Sequence, residues 1–160
     1  MPRTASAILA IIVVVACSPS VRPIGIEYPP YPSGTKEIGG SVMVDSAVIS
    51  DYSIEEVRDA AGQELWFSRL LRRDTTGHPL FELLDTVRLP PYDSTKFLAI
   101  VGCAYDGRPD PEIAALVANE DADSFRTVFL AWRADRRTHR IARLNPPAGV
   151  VCENAGWGAE

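Results

Sequence analysis

Six arginines crowd one stretch of the chain, Arg126, Arg133, Arg136, Arg137, Arg140 and Arg143, and Asp135 is the only carboxylate among them. A guanidinium group binds phosphate or carboxylate through a planar fork of N–H donors. Arg133, Arg136, Arg137, Arg140 and Arg143 therefore form a candidate site for an anion or an acidic partner. Lipid head groups, anionic envelope polymers and acidic proteins all have the required chemistry. The competing reading is the solvated outer face of a hairpin, its charge offset by the acidic remainder of the chain. His78 and His139 sit in turn-like surroundings, with no cysteine or carboxylate at metal-ligand spacing, and read as turn residues. Glu120-Asp121-Ala122-Asp123-Ser124 has oxygen ligands but lacks the alternating ladder, central glycine and distal glutamate of a calcium loop. No nucleophile elbow, phosphate loop, dinucleotide fingerprint or zinc-protease helix is present, so no catalytic residue, metal ligand or cofactor is assigned.

The amino terminus carries a different chemistry. Arg3 is the single basic residue before the apolar run Ala7-Ile8-Leu9-Ala10-Ile11-Ile12-Val13-Val14-Val15-Ala16. As a helix this run would reach about 15 Å, half the hydrocarbon thickness of a bilayer, which suits an export signal and not a permanent span. It ends in Val14-Val15-Ala16-Cys17, which resembles the lipobox of bacterial lipoproteins. The resemblance covers the first seventeen residues only. It implies cleavage after Ala16, diacylglycerol on the Cys17 sulfur and acylation of the new amino terminus, an anchor of several acyl chains. Ser18 in the following position implies delivery to the outer membrane, facing the periplasm.

A lipidated Cys17 leaves Cys103 and Cys152 as the remaining thiols, in a compartment where disulfides persist. The expectation is one structural bridge between them, since two cysteines allow one connectivity. Such a loop contributes roughly 4 kcal/mol in the chain-entropy model. The alternative is a pair of buried thiols acting as small apolar residues.

These features need a scaffold, and the pattern of apolar residues suggests its class. Ser18 to Gly40 is dense in proline and glycine and reads as an extended tether of up to roughly 70 Å. From Ser41 short apolar segments alternate with turn residues. Asp59-Ala60-Ala61-Gly62 and Asp74-Thr75-Thr76-Gly77 suit type I turns closed by glycine, and predict two hairpins in a meander that ends at Pro90-Pro91. The run Phe97-Leu98-Ala99-Ile100-Val101 reads as a central buried strand, with Ile113 to Val117 as its neighbour. His139 is placed in a turn at positive φ. The fold class expected is mainly β, a small antiparallel sandwich or barrel built from hairpins. An α+β alternative puts short helices at 53–61, where Ser53 and Glu56 form a capping box, and at 121–133.

Residues 1–16 thus read as a signal peptide, 17–40 as a lipidated tether and 41–160 as one globular domain. Composition agrees with a single ordinary domain, at 46% hydrophobic and 23% charged, and a net charge of −5 disfavours nucleic acid as a partner. The function these readings favour is a non-catalytic envelope protein, held to the membrane through Cys17, that binds another envelope component. An inhibitor of an extracytoplasmic hydrolase, or an enzyme whose site is assembled from scattered residues, is the alternative.

Overall fold

The structure, a computed structural model, describes residues 24–45, 48–145 and 147–158. The signal segment, the lipobox and Cys17 lie outside these residues. Among those described, every regular element is a strand: β1 (Glu27–Tyr28), β2 (Lys36–Asp45), β3 (Val48–Asp59), β4 (Gly62–Arg73), β5 (Pro79–Arg88), β6 (Lys96–Ala99), β7 (Cys103–Tyr105), β8 (Arg108–Pro109), β9 (Ile113–Ala118), β10 (Ser124–Phe125), β11 (Val128–Asp135), β12 (Arg140–Leu144) and β13 (Val150–Glu153). They form three antiparallel sheets, in the orders β1-β5-β4-β3-β2, β12-β11-β9-β6 and β10-β13-β7-β8. None closes into a barrel, so of the two β architectures expected the chain adopts the sandwich.

The sheets stack in layers, and β9 shows why. Ala114 and Leu116 point to one side, where they meet Met43, Ile54, Leu65 and Phe67 of the five-stranded sheet and Trp132 of β11. Ile113, Ala115 and Val117 point to the other, against Phe125, Val150, Cys103 and Cys152 of the smallest sheet. A strand covered on both faces must be apolar at every position, and Ile113–Val117 is buried throughout. The expectation that 97–101 supplies the central strand is therefore corrected. β6 lies at the edge of its sheet, with Phe97 and Val101 about half exposed, and β9 takes the centre.

Both predicted hairpins form. Asp59 accepts the Ala61 N–H at 2.8 Å, and Asp74 accepts those of Thr76 and His78 at 2.8 and 2.9 Å. The closing glycines take positive φ, 128° at Gly62 and 88° at Gly77, as does His139 at 56°. Neither alternative helix exists. Ser53 and Glu56 lie within β3, where Ser53 donates to Glu55 and not to a helix start, while Glu56 accepts from Gln63 and Tyr92. The helix-like spacing near 128–132 comes from a β-bulge between Val128 and Leu130, which breaks the two-residue alternation of β11.

The expected bridge is present. Cys103 and Cys152 face each other directly across β7 and β13 and join in a disulfide that closes a loop of 49 residues. Both sulfurs belong to the core between the second and third sheets.

The proline-rich stretch behaves differently from the expected tether. From Ile24 onward it folds onto the outer face of the five-stranded sheet. β1 pairs with β5, Gly25 donates to the Leu83 carbonyl at 2.7 Å, and Tyr28 is only 1% exposed. The prolines prevent a helix, but they leave the aromatic rings between them free to pack. Tyr28 stands edge-on to Trp66, with ring centroids 5.2 Å apart, and Tyr31 lies 5.1 Å from Tyr28. Together with Val57 and Leu83 these rings form a third apolar cluster, so the sheet's centre is buried on both sides.

Candidate functional site

The five arginines singled out from the sequence lie on the β11–β12 hairpin and its turn, and the fold supplies the carboxylates that their own stretch lacks. Arg136 forms a two-pronged contact with Asp45 of β2, and its Nε donates to Glu112 Oε1 at 2.7 Å. The hydrogen bonds from Arg136 hold the Asp45 carboxyl below its usual range, and those to Asp45 and Glu112 push the guanidinium further up. Arg133 pairs with Asp110 and lies over the Tyr105 ring, 5.7 Å from its centroid. Arg140 reaches Asp85 at 3.8 Å and Arg137 reaches Asp135 at 3.9 Å, both side chains largely exposed. Arg143 faces no carboxylate among the described residues. It is paired in register with Trp132, which turns into the first core, while Arg133 and its partner Ala142 face the opposite side. The five groups thus do not converge on one point, and three of them are held by acids from other segments.

A more organised group of polar side chains lies beneath the folded-back amino-terminal segment. Five polar residues are buried in the five-stranded sheet, Ser53, Glu55, Glu56, Glu64 and Ser68. Alternation along β3 and β4 sends Ser53, Glu55, Glu64 and Ser68 to the outer face, beside Val57 and Trp66. Glu64 accepts the Trp66 indole N–H at 2.9 Å and pairs with Arg88 at 2.7 Å. Glu55 is surrounded by hydroxyls instead. Tyr28 donates to its Oε1 at 2.9 Å, Ser53 to the same oxygen at 3.1 Å, and Tyr31 to its Oε2 at 2.9 Å. The Tyr28 hydroxyl also lies 2.6 Å from Ser68 Oγ, and that of Tyr31 lies 3.0 Å from Glu37 Oε2.

Burial raises the Glu55 carboxyl above its usual range, since the hydroxyl bonds only partly offset the loss of water and the Glu37 charge adds to the rise. Burial and the nearby Glu55 charge also push both tyrosine hydroxyls well above their ordinary value. They remain donors throughout the physiological range.

These side chains open onto a pocket of about 420 Å³ whose walls include Tyr28, Tyr31, Phe81, Pro29 and Pro79, with Glu55 at the base and Glu37 at the rim. The size lies within the range of small-molecule sites, about 300–1,000 Å³. Gly40 makes room for it. Opposite Glu55 in the β2–β3 register, a Cβ at this position would lie 2.6 Å from Glu55 Cγ.

Nothing in the sequence reading assigned this pocket. Tyr28 and Tyr31 fall within the stretch that reads as a tether, and Glu55 within the stretch whose alternative is a helix. The usable signal was the presence of two tyrosines beside prolines, followed by a strand that is polar at alternate positions. His78 lies on the pocket's wall and His139 meets the Tyr52 hydroxyl at 3.1 Å. Among the described residues no group of three histidine, cysteine, aspartate or glutamate side chains is placed to hold a metal ion. Comparison with family models, curated proteins and solved structures finds no match to this chain.

Proposed function

We propose that this chain is a lipid-anchored lipoprotein of the bacterial cell envelope whose β domain is a binding module, with the pocket over the five-stranded sheet as its recognition site. The single observation that carries the binding part is the pocket itself. It combines aromatic walls with a buried carboxylate that is met only by hydroxyl donors, an arrangement that costs stability in an unliganded protein. Retaining such a group is understandable where a ligand uses it. The arginine hairpin supports recognition less well, because Arg133, Arg136 and Arg140 already have carboxylate partners.

The anchor rests on Val14-Val15-Ala16-Cys17 at the end of the apolar run. The Cys103–Cys152 bridge supports an oxidising compartment and leaves Cys17 as the chain's remaining thiol. Ser18 favours the outer membrane, facing the periplasm. Six residues lie between Cys17 and Ile24, a path that at most spans about 25 Å, so the domain would be held near the lipid surface and not at the end of a long tether.

Mass spectrometry of the protein isolated from membranes of a bacterial host tests the anchor. The expected product begins at Cys17 and carries diacylglycerol and an amide-linked acyl chain, and Cys17→Ser yields an unlipidated protein. A mature protein with an unmodified Cys17, or a soluble full-length chain, contradicts it.

A further inference from the structure

The carboxylates of the five-stranded sheet fall into two groups. Glu27 is matched by Arg72, Glu82 by Arg69, and Glu64 and Asp59 by Arg88. Glu37, Asp51, Glu55 and Glu56 have no such match among the described residues; Glu56 lies on the other face of the sheet, held by Gln63 and Tyr92, whereas Glu55 and Glu37 share the pocket. Among the described residues neither has an arginine, lysine or histidine within ion-pair distance, although Glu55 is only 6% exposed. One hydroxyl bridges the two carboxylates. The Tyr31 hydroxyl lies within hydrogen-bond distance of both carboxylates, yet it has one proton and can donate to only one of them. If Glu55 receives it, the Glu37 oxygen faces a hydroxyl lone pair. A cationic group beside the two carboxylates would offset both charges.

The walls restrict what that cation can be. A calcium or magnesium ion needs six or more oxygen ligands, whereas here the Glu55 oxygens are occupied by hydroxyls and the surroundings are aromatic and apolar. An anion would meet two carboxylates. An organic ammonium group satisfies both halves of the site, because its charge pairs with the carboxylates while its carbon atoms lie against the negative faces of aromatic rings. We propose that the pocket formed by Tyr28, Tyr31, Phe81, Glu37 and Glu55 binds an organic ammonium group, a ligand class that rests on the reading of this pocket as the recognition site.

Calorimetry on the full-length protein in detergent tests this with choline and its neutral isostere 3,3-dimethylbutan-1-ol. Choline is expected to bind at least tenfold more tightly than the isostere. Glu55→Gln should remove that preference. Glu37→Gln, on the exposed rim, should reduce it several-fold and keeps the test open if the buried variant does not fold. Glycerophosphocholine forms a third arm. Tighter binding than choline traces the ammonium to a lipid head group and weaker binding to a small free ammonium compound, either of which supports the proposal. Equal affinity for choline and the isostere overturns the ammonium inference while leaving the pocket as a site. Absence of binding by all three probes, or binding untouched by both glutamine variants and by Phe81→Ala, overturns the pocket reading as well.

Discussion

In the β11–β12 hairpin the arginines follow one another closely along the chain, and the fold brings Asp45, Asp85, Asp110 and Glu112 to meet Arg136, Arg140 and Arg133. In the pocket two carboxylates meet from β2 and β3, and the fold brings them tyrosine and serine hydroxyls. A run of like charge in a sequence thus becomes a network of paired groups, while an inconspicuous glutamate becomes a buried charge without a counter-ion. Electrostatic function depends on which charges remain uncompensated after folding, and that is decided by segments distant in the chain.

If the pocket is the more deeply built of the two regions, its residues should carry more of the stability. Tyr28→Ala removes a ring packed against Trp66 and is expected to cost about 3–5 kcal/mol in urea denaturation. Tyr28→Phe keeps the ring and removes one hydroxyl from the network, at about 1–3 kcal/mol. A cost below that of the arginine variants would break the comparison. Arg136→Ala, the best connected of the hairpin, should cost about 1 kcal/mol, because Asp45 is about half exposed and solvent screens that pair.

The two regions should also respond to pH in opposite directions. Burial raises Glu55 above its ordinary value of 4.5, so the stability linked to this group is complete below that value and is lost as pH rises through its folded-state value. The Arg136 hydrogen bonds lower Asp45 from 3.8, so its contribution is complete above that value and is lost as pH falls through its folded-state value. Urea denaturation between pH 3 and pH 8 should therefore show the wild type losing ground to Glu55→Gln as pH rises, and to Asp45→Asn as pH falls. Slopes of the same sign would contradict the assignment. The smallest effect is expected from Arg137→Ala, Arg140→Ala and Arg143→Ala, each within about 0.5 kcal/mol.

Local features were the legible ones. The Asp-x-x-Gly turns, the positive φ at His139 and the Cys103–Cys152 pairing each follow from short-range chemistry or from the small number of available partners. What could not be read was which apolar run is covered on both sides. Phe97–Val101 and Ile113–Val117 look alike as strings, and only the order of strands makes the second one central. The proline-rich segment departs from its expected tether for a related reason. Proline density excludes a helix and a central strand, but a two-residue edge strand such as β1 needs few backbone hydrogen bonds, and Tyr28 supplies the burial that keeps it in place. The pocket remained hidden because its parts are separated in the chain and its glycine, Gly40, looked like part of a linker.

The separation of roles between pocket and hairpin is tested most directly by amide chemical-shift mapping of the ¹⁵N-labelled protein during titration with choline. The account predicts that the perturbed amides cluster at residues 28–41, 53–55 and 78–81, while residues 133–143 stay unchanged. Perturbation centred on the arginine hairpin, with the pocket silent, would contradict it.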